Sequence, residues 1–176
     1  MTKTRKMVFL SLLVSQGLVL HIIESMIPVP FITPGAKLGL ANIVTAVSLY
    51  LFGEIETFMV IIVRLLLSSV LGGSISSLLY SIAGALFSFI VMALIKRIGK
   101  DKVSIIGVSS AGAVFHNIGQ ITIAALIVQN VNISLYLPIL TMSGIGTGFF
   151  VGLTSRYIVN HLNRLNTTTK LFDDKG

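Results

Sequence analysis

Apolar runs alternate with short polar breaks from Met7 to Leu162, and most of the chain's charge falls in the breaks. The first run, Met7 to Ile27, follows Lys3, Arg5 and Lys6 and carries His21 and Glu24. A basic start before an apolar run resembles a signal peptide, but no small-residue cleavage pattern follows, so the run is read as a retained first span. The second, from about Leu38 to Phe52, and the third, from about Thr57 to Leu71, flank the turn Gly53, Glu54, Ile55 and Glu56. Both are short against the roughly 20 residues that cross a bilayer, so they either tilt little or begin inside the protein. After Gly72 and Gly73, a fourth run covers Ser74 to Ile95 and ends on Lys96, Arg97, Lys100 and Lys102. The fifth covers about Val103 to Val128, and the sixth starts near Ile133, contains Pro138 and ends around Arg156 to Arg164. This pattern predicts an all-α integral membrane protein, a compact six-transmembrane-helix bundle. Residues 1–165 form its single domain, and 166–176 form a flexible cytoplasmic tail.

Composition agrees with the pattern. Only 11% of the 176 residues are charged, where soluble domains carry roughly 25%, and the mean hydropathy is +0.95. A formal net charge of +7 would point to nucleic acid in a soluble chain. With both termini placed inside, eleven of the thirteen basic residues fall on the cytoplasmic side, so the positive-inside rule accounts for them and no nucleic-acid partner is expected. Lys37 and Arg64 are the two exceptions. Lys37 lies in the outer connection, whereas Arg64 lies mid-span, where an unpaired charge costs about 2.5–3.5 kcal/mol on insertion scales.

Small residues mark the helix contacts. Ser74, Ser77, Ser81, Gly84 and Ser88 run down one face of the fourth span, and Gly144, Gly148 and Gly152 recur every four residues in the sixth. Lipid tails offer no hydrophobic contrast, so close backbone approach is a principal means of joining membrane helices. The first span has two faces, with Ser11 and Ser15 on one and Gly17, His21 and Glu24 on the other. The serine face is a candidate partner contact, with packing inside the monomer as the alternative.

The chemistry concentrates in few places. His116, Asn117 and Gln120 adjoin on one face of the fifth span, and polar groups in lipid must find hydrogen bonds. They either tie helices together or line a cavity. Arg64 either pairs with Glu24 or joins Lys37 and His116 in a partly positive pocket, with Asn42 and Gln120 orienting a carboxylate or phosphate. The connection from Pro28 to Ile43 has the build of a cover for such a pocket. Pro28, Pro30 and Pro34 stiffen it, and Gly35 and Gly39 allow tight turning. The plainer alternative is a connector that only closes the outer face. The absence of cysteine excludes disulfides and thiol chemistry, and no metal site or cofactor is implied.

Several ordered motifs carry a family resemblance: PGAKLGLANIV at Pro34 to Val44, Arg64 with Leu65 and Leu66, LLYSIAG at Leu78 to Gly84, GAVFHNIGQ at Gly112 to Gln120, and YLPIL with its following glycines. Over about residues 7–160 the chain resembles the bacterial Gx transporter family, also labelled heptaprenyl diphosphate synthase component I. More distantly, its size and six-span plan are similar to the substrate-binding S components of energy-coupling factor transporters. That resemblance implies a multi-pass subunit of the bacterial cell membrane, with both termini inside and surrounded by membrane lipids. It would capture a small vitamin-like or cofactor-precursor molecule, anionic if the pocket is positive, and be energised by a separate coupling protein and ATPase subunits. Ser11 and Ser15 stand where S components use alanines spaced by four, keeping the small size but not the residue. Pro28 to Leu38 would be the gating loop.

An enzyme is not expected. Prenyl transfer needs carboxylate clusters that hold magnesium against diphosphate, and the chain's only adjacent aspartates are Asp173 and Asp174 in its tail. It also lacks a phosphate-binding loop of the glycine-lysine kind. Two alternatives to uptake stay open: a quinone- or flavin-handling electron-transfer component, and a noncatalytic partner of polyprenyl or quinone biosynthesis.

Overall fold

The computed structural model describes residues 3–26, 39–71 and 75–173, with the side chains of Ser76, Ser77, Asp101 and residues 166–173 left aside. Pro28, Pro30, Pro34, Gly35, Lys37 and Ser74 therefore lie outside the described residues, as does the glycine pair at 72–73. The described residues are all-helical apart from turns. The helices are α1 (Lys3–Met26), α2 (Asn42–Leu51), α3 (Glu54–Val70), α4 (Ile75–Gly99), α5 (Ile105–Val128) and α6 (Leu137–Asp173), with short 3-10 turns at Lys100–Lys102 and Val131–Tyr136.

Among the described residues, four segments are long and apolar enough to cross a membrane: Lys3–Met26, Leu78–Gly99, Ile105–Val128 and Val131–Leu165. Of the six spans expected from the pattern, the two read as short are α2 with 10 residues and α3 with 17, which fall below that length. At 1.5 Å per residue α2 is about 15 Å long, half of a hydrocarbon core of about 30 Å. Eight of its ten residues are buried, from Asn42 to Leu49. It touches each of the other five helices. A helix of this length that is buried around its circumference, its polar Asn42, Thr45 and Ser48 included, fits a core peg better than a lipid-facing span.

Polar side chains hold that peg at several points. The Ser155 hydroxyl of α6 donates to the Ile43 carbonyl at 3.4 Å, and the Ser48 and Thr57 hydroxyls meet at 3.1 Å between α2 and α3. At the far end the Lys96 ammonium of α4 donates to the Leu49 carbonyl and lies 4.8 Å from the Tyr50 ring centroid. It satisfies a helix-terminal carbonyl that α2 cannot satisfy itself. Between α2 and α3 the chain turns at Gly53, whose φ of 103° is a conformation that side chains resist.

The small-residue stripes lie at the expected contacts. In α6, a Cβ at Gly148 would sit 2.5 Å from the Ser110 Cα, and one at Gly152 would sit 2.5 Å from the Ile106 Cα, so α5 and α6 meet backbone to backbone. From the α5 side, a Cβ at Gly119 would come 2.7 Å from the Ala83 carbonyl oxygen of α4. Ser81, Gly84 and Ser88 of the α4 stripe are buried. The Ser104 side chain caps α5 by accepting from the Gly107 N–H at 3.1 Å. Pro138 falls in the first turn of α6, where its missing donor costs no helical bond. Helix α6 continues past Asn166 to Asp173, so no helix end marks the domain boundary read at 165.

Candidate functional site

Helix α1 presents its two faces as the spacing predicts. Gly17 and Glu24 are buried and His21 is half-buried, while Ser11 and Ser15 are exposed. Each of these serines returns its hydroxyl to the carbonyl four residues earlier, Ser11 to Met7 and Ser15 to Ser11, both at 3.0 Å. Their outward position removes the alternative of packing within the monomer. Exposed apolar residues surround them, including Met7, Val8 and Leu12.

Glu24, 3% exposed, organises the opposite face. One of its carboxylate oxygens accepts from the Gly39 N–H and from the Leu40 N–H at 3.2 Å. A single carboxylate thus ties the end of α1 to the backbone just before α2. Sequence reading paired Glu24 with Arg64 or with a ligand and missed this use. No sequence signal marks a backbone amide 15 residues away, beyond the glycine itself. Gly39 has φ 86°, and a Cβ there would sit 3.1 Å from Asn42 Nδ2 and 3.5 Å from the His116 ring, so α2 and α5 converge where Glu24 binds.

Arg64, on α3, is 4% exposed. Its aliphatic stem crosses α1 at Gly17, where a Cβ would stand 2.8 Å from Arg64 Cδ and 3.7 Å from Val44 Cγ1. Glu24 is the carboxylate whose charge acts on the guanidinium. One guanidinium nitrogen, Nη1, is buried and has no acceptor among the described residues; the same is true of Asn42 Nδ2. Leaving a buried donor unmatched costs about 1–3 kcal/mol, more for a charged group.

Helix α5 supplies His116, Asn117 and Gln120, all buried. Gln120 Nε2 and His116 Nε2 are 3.1 Å apart, and the His116 ring lies against Gly84, where a Cβ would come within 2.7 Å of it. Gly84, read from the sequence only as part of a packing stripe, is therefore the seat of the imidazole. Asn117 turns elsewhere and donates from Nδ2 to the Leu140 carbonyl at 2.8 Å, tying α5 to α6. Glu24, Asn42, His116 and Gln120 thus converge around Gly39, Arg64 packs over Gly17 within reach of the Glu24 charge, Asn117 clamps α5 to α6, and Lys37 lies outside the described residues.

Two grooves flank α1. One, of about 430 Å³, runs between α1, α2 and α6 past Leu13, Gln16, Leu20, Val44, Val47 and Ile158. The other, of about 440 Å³, lies between α1 and α3 and includes Ser11, Val14, Ser15 and Val60. Arg64 and His116 line neither.

No curated protein and no solved structure matches this chain. The sequence profile of one family, heptaprenyl diphosphate synthase component I, matches residues 13–158, a range that holds every described residue of the polar cluster, and the chain belongs to that family.

Proposed function

We propose that this protein is a noncatalytic, membrane-embedded binding subunit that takes a small anionic molecule, with a carboxylate or phosphate, at the Arg64 and Asn42 donors. The observation that carries the reading is the pair of buried N–H groups left without acceptors, one of them on a charged guanidinium. A carboxylate or phosphate oxygen is the complementary group, and a guanidinium binds either in bidentate fashion. Glu24 fixes the backbone at Gly39 and Leu40 beside Asn42. Uptake of a vitamin-like or cofactor-precursor compound, driven by coupling and ATPase subunits that contact Ser11 and Ser15, is the fuller form of this reading. Placement in a bacterial cytoplasmic membrane with both termini inside belongs to it.

Native mass spectrometry of gently purified protein tests it. Wild-type protein is expected to retain an anionic small molecule, and Arg64→Ala to lose it while still inserting and folding. Equal retention by the folded variant would remove Arg64 from the site.

The family name favours a second reading, a partner that supports a prenyl diphosphate synthase without carrying its chemistry. A synthase whose activity rises several-fold when this chain is added in membranes, and falls again with Arg64→Ala, would favour that role over uptake.

A further inference from the structure

The basic residues gather at one end of the bundle. Lys3, Arg5 and Lys6 open α1, and Lys6 pairs with Glu56 in the first turn of α3. Lys96 and Arg97 close α4, where Lys96 bonds to the last turn of α2 at Leu49. A cavity of about 130 Å³ lies at this end, between the start of α1, the end of α2 and the late part of α6. Arg5 and Phe9 of α1, Leu51 and Phe52 where α2 ends, and Leu162 and Asn163 of α6 all line it. Cationic, polar and apolar groups thus face a single space. Arg5 and Phe9 are four residues apart and share one face of α1, with Arg5 a turn nearer the helix start. Arg5 and Asn163 are exposed, while Phe9, Leu51 and Leu162 are half-buried. The cavity is therefore cationic and polar at its mouth and apolar behind, the order in which a phospholipid presents phosphate and then hydrocarbon. The acidic side chains described at this end, Glu54 and Glu56, act on Lys96 and Lys6, and none of these four lines the cavity.

We infer that an anionic phospholipid binds here, its phosphate on Arg5 and Asn163 and its glycerol and first acyl carbons between Phe9, Leu51 and Leu162. Size and charge select this occupant. Sites that enclose a whole small molecule span about 300–1,000 Å³, so this smaller cavity takes part of a ligand, and a lipid keeps its remainder in the bilayer. An exposed ion pair is weak by itself, so a free phosphate gains little. A lipid already held in the membrane meets Arg5 at high effective concentration. The guanidinium has five N–H donors, enough to serve a phosphate and a protein acceptor together. Basic pockets between membrane helices take anionic head groups in this way. Arg5 stands about 28 Å along α1 from Glu24, at 1.5 Å per residue, so this site is separate from the one at Arg64.

The test uses the full chain in nanodiscs of equal parts phosphatidylglycerol and phosphatidylcholine, with native mass spectrometry counting the lipids that the released protein retains. Wild type is expected to favour phosphatidylglycerol by about fivefold or more, the share of one basic residue near an anionic surface. Arg5→Gln should abolish that preference. Arg97→Gln, which removes the same charge at the same end but away from the cavity, should leave it largely intact. Phe9→Trp, which fills the cavity and keeps Arg5, should abolish it as well, and thermal unfolding of each variant establishes that it is folded. Millimolar inorganic phosphate should not displace the lipid. No preference in wild type, an equal loss in Arg5→Gln and Arg97→Gln, a preference that survives Phe9→Trp, or displacement by phosphate would each overturn the site.

Discussion

Substituting Gly148 and Gly146, two residues apart in α6, should shift stability in opposite directions. A methyl at Gly148 would stand 2.5 Å from the Ser110 Cα and 2.8 Å from the Ser109 carbonyl oxygen. Both are backbone atoms of a helix, so neither can rotate away and α5 and α6 must separate. Overpacking of this kind costs about 1–3 kcal/mol, and a rigid backbone contact belongs at the upper end. Alanine returns at most about 1 kcal/mol through helix propensity, which leaves Gly148→Ala destabilised by about 2 kcal/mol, or up to roughly thirtyfold in the folding equilibrium. A methyl at Gly146 meets nothing within 4 Å, so Gly146→Ala gains between zero and about 1 kcal/mol. The chain has no cysteine, so L126C and I139C, at exposed positions of α5 and α6, can be labelled for energy transfer. Unfolding by increasing SDS in mixed micelles then reports separation of the two helices. If Gly148→Ala matched wild type, or if Gly146→Ala were the weaker of the two, the glycine stripe would not be setting the approach of these helices.

Other outcomes follow from the same contacts. Gly84→Ala should drive the His116 ring from its seat, which a Cβ would approach to 2.7 Å, and lower ligand retention at least tenfold with membrane insertion unchanged, as native mass spectrometry would show. Ser11→Leu together with Ser15→Leu alters only the exposed face of α1; transport in reconstituted membranes should fall while binding by the isolated subunit stays intact, and loss of both or of neither would count against a docking role. The Lys6–Glu56 ion pair, 39% and 22% exposed, should contribute under about 1 kcal/mol. Its hydrogen bond to Lys6 holds the Glu56 carboxyl below its ordinary value of 4.5. The stabilisation is therefore present above pH 4.5 and lost as pH falls through the lowered value. The stability difference between wild type and Glu56→Gln should vanish over that range in acid-unfolding curves.

Much of this architecture was legible in the sequence because lipid imposes simple rules. Long apolar runs had to be helices, and glycines at intervals of four had to mark close approach, which Gly148 and Gly152 do against Ser110 and Ile106. The opposed faces of α1 followed from helical spacing alone. The shortness of α2 was legible, and with it the option that it begins inside the protein, but hydropathy cannot separate burial in lipid from burial in protein, and a ten-residue run with Asn42, Thr45 and Ser48 among its apolar residues fits either. At the site, the residue types were readable but their partners were not. Glu24 bonds to amides at Gly39 and Leu40, and Asn117 to a carbonyl at Leu140. Both choices depend on how helices far apart in sequence come together, and backbone groups carry no label in a sequence.

The short central helix constrains how the protein can be made. Helix α2 is too short to be held by the bilayer alone and carries Asn42, Thr45 and Ser48 into the interior, so as it leaves the ribosome it has no stable resting place in lipid. Its partners arrive later: Lys96 from α4, and Ser155 from α6, which bonds to Ile43 across 112 residues of chain. The membrane must therefore accept the second segment before its enclosure exists, and topology becomes final only once α6 has been inserted. Chains truncated before Ser155 should leave α2 unsettled and become substrates for membrane proteases, however well their first helix is anchored.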